Sequence, residues 1–216
     1  MRLKTSATFL LGCFLLIFFV GCKSSDELDN RAFNAEETLA ELDGLLMQLD
    51  QFDASDCENL NDIVTINERM RRIIEGIHSP KEFDELAGVF DAGKHKIGFL
   101  VSEDDLFGVF YWQTNMDCLG QSIKNMALYK SGDRLLVSSL YGKPMIYEKL
   151  TSEKMNQNKT IYLLHSRASK QNQTVTKAYT IANTILVESQ IPPSEQRSNR
   201  HTISTIQKET DSISSQ

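Results

Sequence analysis

The chain lacks the short motifs that carry most enzyme chemistry. It has no G-x-S-x-G turn to expose a nucleophilic serine and no S-x-x-K pair to deprotonate one. Its 11 glycines never gather into G-x-G-x-x-G or a Walker sequence, so no loop is marked for cradling phosphates. The four histidines, His78, His95, His165 and His201, stand far apart, without the i, i+4 pairing of a helical metal site, and neither a metal nor another cofactor is expected. Basic clustering is scarce too. Beyond Arg69-Met70-Arg71-Arg72, which fits the solvated side of a helix, there is no Lys/Arg run, and the formal net charge is −6. Nucleic acid, which needs a basic face for its phosphates, is therefore excluded as an expected partner. No βαβ rhythm occurs either, which speaks against a parallel sheet.

What is present starts at the N-terminus. Arg2 and Lys4 are the only charges among the first 22 residues, and the apolar run Phe9–Val20 follows them, which is the layout of a secretory signal peptide. The run is shorter than the roughly 20 residues needed to span a bilayer. It ends Phe19-Val20-Gly21-Cys22, and on these residues the chain resembles bacterial lipoproteins. That resemblance implies cleavage before Cys22, a diacylglycerol on its thiol and an acyl group on its amine, and two or more chains anchor stably where one does not. Phe19 departs from the family, which more often has Leu there. A rival box, Leu10-Leu11-Gly12-Cys13, would leave Phe14 to Val20 exposed on the mature protein and is set aside on that ground.

Charge is uneven along the rest. Residues 22–60 hold 11 acidic against 2 basic side chains, and the remainder is nearly balanced. Asp26, Glu27 and Asp29 look like the acidic stretch that, in Bacteroidota lipoproteins, marks export to the outer face of the outer membrane. The hairpin at Tyr129-Lys130-Ser131-Gly132 followed by Ile161-Tyr162-Leu163-Leu164 is similar to envelope lipoproteins of the same group, a likeness that implies no activity. The expected location is the cell envelope, with Cys22 anchored in the outer membrane and the domain on its periplasmic or its surface face. With Cys13 lost in the leader and Cys22 lipidated, Cys57 and Cys118 remain as an even pair in an oxidising compartment. A disulfide between them is expected; the alternative is two buried thiols.

The chain divides into a signal peptide (1–21), a lipidated cysteine with an acidic tether (22–30), one α+β domain (31–190) and a mobile polar tail (191–216). Ala35, Leu39, Leu42, Leu46 and Leu49 are spaced as one face of a helix, and Ile63, Ile66, Met70, Ile73 and Ile77 repeat the spacing, which predicts a helical hairpin with Cys57 in its joint. Ser79-Pro80-Lys81-Glu82 signals a short third helix through a capping box, with Phe83, Leu86 and Phe90 on its buried face. After Gly93 the period becomes extended. Strands are expected at 96–101, 106–113, 123–129, 134–140, 145–150, 160–166, 175–181 and 185–188, paired as one antiparallel meander of seven or eight strands under the helices. Leu106, Phe110 and Trp112 alternate with Phe107, Val109 and Tyr111, so this strand is buried on both faces.

Three places merit attention as sites. Trp112, at the end of that strand, has an aromatic face able to stack on a sugar, although a lone tryptophan there suits a core as well. His165, with Ser166 and Arg167 at a strand end, is the candidate general base if the protein is an enzyme. Glu103-Asp104-Asp105 is a dense carboxylate group but lacks calcium-loop spacing and reads as a hairpin turn. The sequons at Asn158 and Asn172 are accidental in a bacterial protein. No catalytic residue is assigned. The leading expectation is a non-catalytic, lipid-anchored binding or assembly module, with an envelope protein complex or a surface ligand as partner. The alternatives are a secreted hydrolase with its site near His165 and a purely structural envelope protein.

Overall fold

Three helices lead the fold. The computed structural model describes residues 32–55, 57–140, 145–156, 159–168 and 173–192, so the expected signal peptide, Cys22, the expected tether, both sequon asparagines and the expected tail from residue 193 on lie outside the described residues. Helix α1, Ala35–Leu49, opens at Asn34, whose Oδ1 accepts the Glu37 amide at 3.1 Å. The expected stripe of Ala35, Leu39, Leu42, Leu46 and Leu49 is buried, with Leu45 beside it. Helix α2, Leu60–Glu75, is buried along Ile63, Asn67, Met70 and Ile74. The expected Ile66 and Ile73 are only partly buried, because the polar Asn67 takes the centre of the stripe. Arg69 of α2 reaches Glu41 of α1. Helix α3, Pro80–Val89, starts as its sequence requires: Ser79 Oγ accepts the Glu82 amide and Glu82 Oε2 accepts the Ser79 amide, each at 3.2 Å.

The strands form two antiparallel sheets, where one had been expected. The first contains β1 (Gly98–Val101), β2 (Phe107–Met116), β3 (Gln121–Ser131) and β4 (Arg134–Ser139) in that order. The second contains β5 (Lys149–Asn156), β6 (Lys159–Ala168), β7 (Gln173–Ala182) and β8 (Ile185–Ser189), again in order. The break falls between β4 and β5. Met145 and Tyr147 alternate as a strand would, but they are buried between the sheets and β5 starts only at Lys149. Alternation reports burial on one side, and a segment that plugs an interface achieves this without a ladder partner. The polar residues after Thr151, which resemble a loop, form an edge strand paired with β6 alone.

The two-sided strand β2 explains the layering. Phe110 and Trp112 pack with the helices, Phe99, Met126 and Leu128, whereas Phe107 and Val109 pack with Tyr147, Tyr162 and Tyr179. The first sheet thus lies between the helical layer and the second sheet. Leu106, expected on a buried face with Phe110 and Trp112, precedes the strand and is exposed. Gly108 admits Phe83 of α3 onto the sheet, since a Cβ there would come within 2.8 Å of the ring. Cys57, in the α1–α2 connection, is bonded to Cys118 in a 3-10 turn between β2 and β3, with Cα atoms 6.0 Å apart. The disulfide therefore ties the helical layer to the sheet. Ile191 packs on the far face of the second sheet against Ile161, Leu163 and Ala178.

Candidate functional site

The three places singled out from the sequence lie in three parts of the fold. Trp112 is only 4% exposed and belongs to the core between the helices and the first sheet. Its Nε1 donates to Asn67 Oδ1 at 2.8 Å, and Asn67 Nδ2 donates to the carbonyls of Ile63 and Thr114 at 2.8 and 2.9 Å. The indole is thereby committed to holding α2 on β2, and its face is not offered to a sugar. Asp104 turns its carboxylate inward: Oδ1 accepts from Ser102 Oγ and Leu106 N, and Oδ2 accepts from Tyr162 OH at 3.2 Å. The Glu103–Asp105 turn is thus a fastening between the sheets. Among the described residues, no group of three or more His, Cys, Asp or Glu side chains is placed to hold a metal ion.

His165 faces the other way. Tyr162 and Leu164 point into the interlayer core, so alternation along β6 puts His165 with Ile161 and Leu163 on the outer face of the second sheet. Its Nε2 lies 3.0 Å from Thr151 Oγ1 and its Nδ1 3.1 Å from Thr176 Oγ1. An imidazole with a hydroxyl on each nitrogen must break one of these bonds before it takes a proton from water.

A carboxylate does meet a histidine at a place the sequence reading passed over. Asp43 Oδ2 lies 2.9 Å from His95 Nδ1, and Asp43 Oδ1 accepts the amides of Lys96 and Ile97, each at 2.8 Å. The His95 ring stacks on Phe90, with centroids 5.5 Å apart. This clamp fastens the entry of β1 to the side of α1 and so builds one wall of an open cleft.

The cleft exists because β1 is short. It starts at Gly98, opposite Tyr111, and β2 runs on to Met116 with no β1 partner beyond that point. The end of α1 closes part of the notch, held there by Asn115, whose Nδ2 donates to Leu49 O at 2.8 Å. What remains is a space of about 340 Å³ lined by Leu46 and Asp50 from the end of α1, Lys96, Gly98, Tyr111, Trp112 and Gln113 at the sheet, and Ile146 from the segment between the sheets. That volume lies at the lower end of the range for small-molecule sites.

Tyr111 is the aromatic that β2 adds to this lining beside Trp112. Its ring lies over Gly98, so closely that a Cβ at that position would stand 2.2 Å from the ring carbons. Burial raises the phenol above its ordinary pKa, and the charge of Glu148 adds to the effect, so the group stays neutral. Gln113 is exposed beside it, and Lys96 Nζ lies 3.4 Å from Asp50 Oδ2 across the opening. The arrangement offers an aromatic surface, an amide, a mixed-charge rim and apolar flanks from Leu46 and Ile146. These are the components of a binding site. Tyr111 was legible as one of two alternating faces of β2, but the sequence does not show that the cover over its face stops at Val109.

No family model, curated protein or solved structure matches this chain. No helix among the described residues is long and apolar enough to cross a membrane.

Proposed function

We propose that the protein is a bacterial envelope lipoprotein, anchored through Cys22 in the outer membrane, that acts as a non-catalytic binding module with the cleft at Tyr111 as its ligand site. The leader, the Gly21-Cys22 junction and the acidic residues after it support the anchor. The observation that carries the binding role is Tyr111 itself, an aromatic side chain seated on Gly98 at the uncovered end of a buried strand, with Gln113, Asp50 and Lys96 around it. The disulfide suits the oxidising compartment that this location entails. The same reading takes α1 and α2 as an antiparallel hairpin, because Glu41 and Arg69 pair from points about equally far from the connection.

The binding role is tested with the full mature chain carrying fluorotyrosine, the Tyr111 signal being assigned by Tyr111→Phe. Capped arginine, capped lysine, capped glutamate and a neutral disaccharide serve as probes. A saturable shift of the Tyr111 signal with at least one probe is expected. If all four leave that signal unmoved while the protein is folded, the cleft is not the site.

A further inference from the structure

We propose that β8 is the docking edge for a second copy of this chain. The two copies pair β8 against β8, antiparallel about a two-fold axis at Val187, so that two four-stranded sheets join into one. The proposal is independent of the cleft at Tyr111.

An open edge strand is a template for another strand, and proteins guard theirs with charge, proline, a bulge, a cover or short length. Three of the four edge strands here are guarded in these ways. β1 is four residues long, and the Asp43 clamp ties its entry to α1. β4 has α3 against it and begins at Arg134. β5 carries Lys149, Glu153 and Lys154, and its ladder shifts register between Lys154 and Asn156. β8 has no such device. It reads Ile-Leu-Val-Glu-Ser, without lysine, arginine or proline, keeps an unbroken register along β7, and pairs with β7 alone among the described residues. It is also the one edge strand without a buried residue, and Ile185 is 62% and Val187 43% exposed.

The strand is complementary to itself. Ile185, Val187 and Ser189 stand opposite Ala182, Thr180 and Ala178 of β7, which puts them on the outer face of the second sheet. Antiparallel pairing about Val187 sets Val187 against its own copy, Ile185 against Ser189 and Leu186 against Glu188. Val187 and Ile185 of both copies then form one apolar stripe across the seam, where a β-branched pair is favourable. Glu188, the sole charge of β8, meets an apolar residue and not the other glutamate. A foreign strand would have to supply this pattern, whereas a second copy supplies it by symmetry. Five residues a side bury less than the roughly 1,200 Å² of a stable interface, so the dimer is a weak one.

Self-association of the full mature chain carrying Cys22→Ser, which takes that thiol out of play, decides this. The amide signals of residues 185–189 are expected to move as the protein is concentrated to about 1 mM, the weak end of specific association, and sedimentation should report a dimer. In a mixture of isotopically labelled and unlabelled protein, contacts between the Val187 methyl groups of different copies are expected. Val187→Lys places two ammonium groups opposite each other and should weaken the dimer about tenfold, while Ile185→Lys, opposite Ser189, should weaken it less. Both positions are exposed, and circular dichroism confirms the fold of each variant. A chain that stays monomeric at that concentration, or a dimer indifferent to Val187→Lys, overturns the proposal. So does a monomer whose β8 signals move only when an extended peptide of another sequence is added, which would give the edge to a foreign strand.

Discussion

Replacing Asn67 by alanine should destabilise the protein more than any other polar truncation among its helices. Asn67 is 7% exposed and bonds three groups: it accepts from Trp112 Nε1 and donates to the carbonyls of Ile63 and Thr114, all within 2.9 Å. The alanine variant strips the buried indole N–H of its acceptor and takes the Asn67 bond from Thr114 O. At about 1–3 kcal/mol for the buried indole N–H that loses its partner, with the vacated amide volume adding to it, the expected cost is about 3 kcal/mol. Asn67→Leu fills the space but still leaves the indole unbonded, so it should cost about 2 kcal/mol or more, which separates the polar loss from the cavity. Trp112 is the only tryptophan in the chain, so its fluorescence reports urea unfolding directly. In a cycle with Trp112→Phe, which removes the fluorophore and is therefore followed by circular dichroism at all four corners, a coupling of about 1 kcal/mol or more is expected for residues bonded to each other. A loss below about 1 kcal/mol in Asn67→Ala, well under the desolvation cost of a buried unpaired group, would refute the role given to Asn67 in fastening α2 to β2.

Three further outcomes follow from the structure. Converting both Cys57 and Cys118 to serine opens a link between residues 61 apart in sequence, and on the chain-entropy model it should cost about 4 kcal/mol in urea unfolding; a change under about 1 kcal/mol would contradict it. Thr184 occupies φ +68 in the β7–β8 turn, where a β-branched residue is strained, so Thr184→Gly should stabilise by about 0.5–1 kcal/mol, and a lowered melting temperature would count against this. Burial holds the phenols of Tyr147, Tyr162 and Tyr179 protonated, Tyr179 pushed up to about 12 and the other two further. Because their native values exceed the unfolded value of about 10, the stability they contribute is complete below that pH and is lost as pH rises through the native values. Phenolate absorbance and circular dichroism should then change together in strong alkali; complete titration of all tyrosines near pH 10 with the fold intact would refute the burial assigned to them.

Local signals in the sequence were reliable where a single segment determines the outcome. The capping box at Ser79 and Glu82 is satisfied by groups three residues apart, so nothing distant has to be known. The two-sided burial of β2 was legible for the same reason, and it placed that strand in the interior of a sheet, where it lies between β1 and β3. The split into two sheets was not legible, because a polar turn specifies a reversal and not whether the returning strand joins the old ladder or lies across it. Met145 and Tyr147 show this: their alternation fits a strand, yet they serve as the seam between the sheets. Asn67 defeated the helical stripe because hydrophobic periodicity passes over a buried amide whose partners, Trp112 and Thr114, lie over 40 residues away. The candidate site was missed by one residue. Trp112 is the conspicuous aromatic, but its place toward the helices buries it, and its neighbour Tyr111 emerges where the cover ends.

The proposed tie between the cleft and a membrane runs through Cys22, and intact-mass measurement of the protein extracted from membranes tests it most directly. The expected species starts at Cys22 and carries a diacylglycerol on the thiol together with an acyl group on the amine, and Cys22→Ser should lose the added mass and leave the membrane fraction. A chain that retains Met1, or one that starts elsewhere without acyl groups, would contradict the anchored binding module.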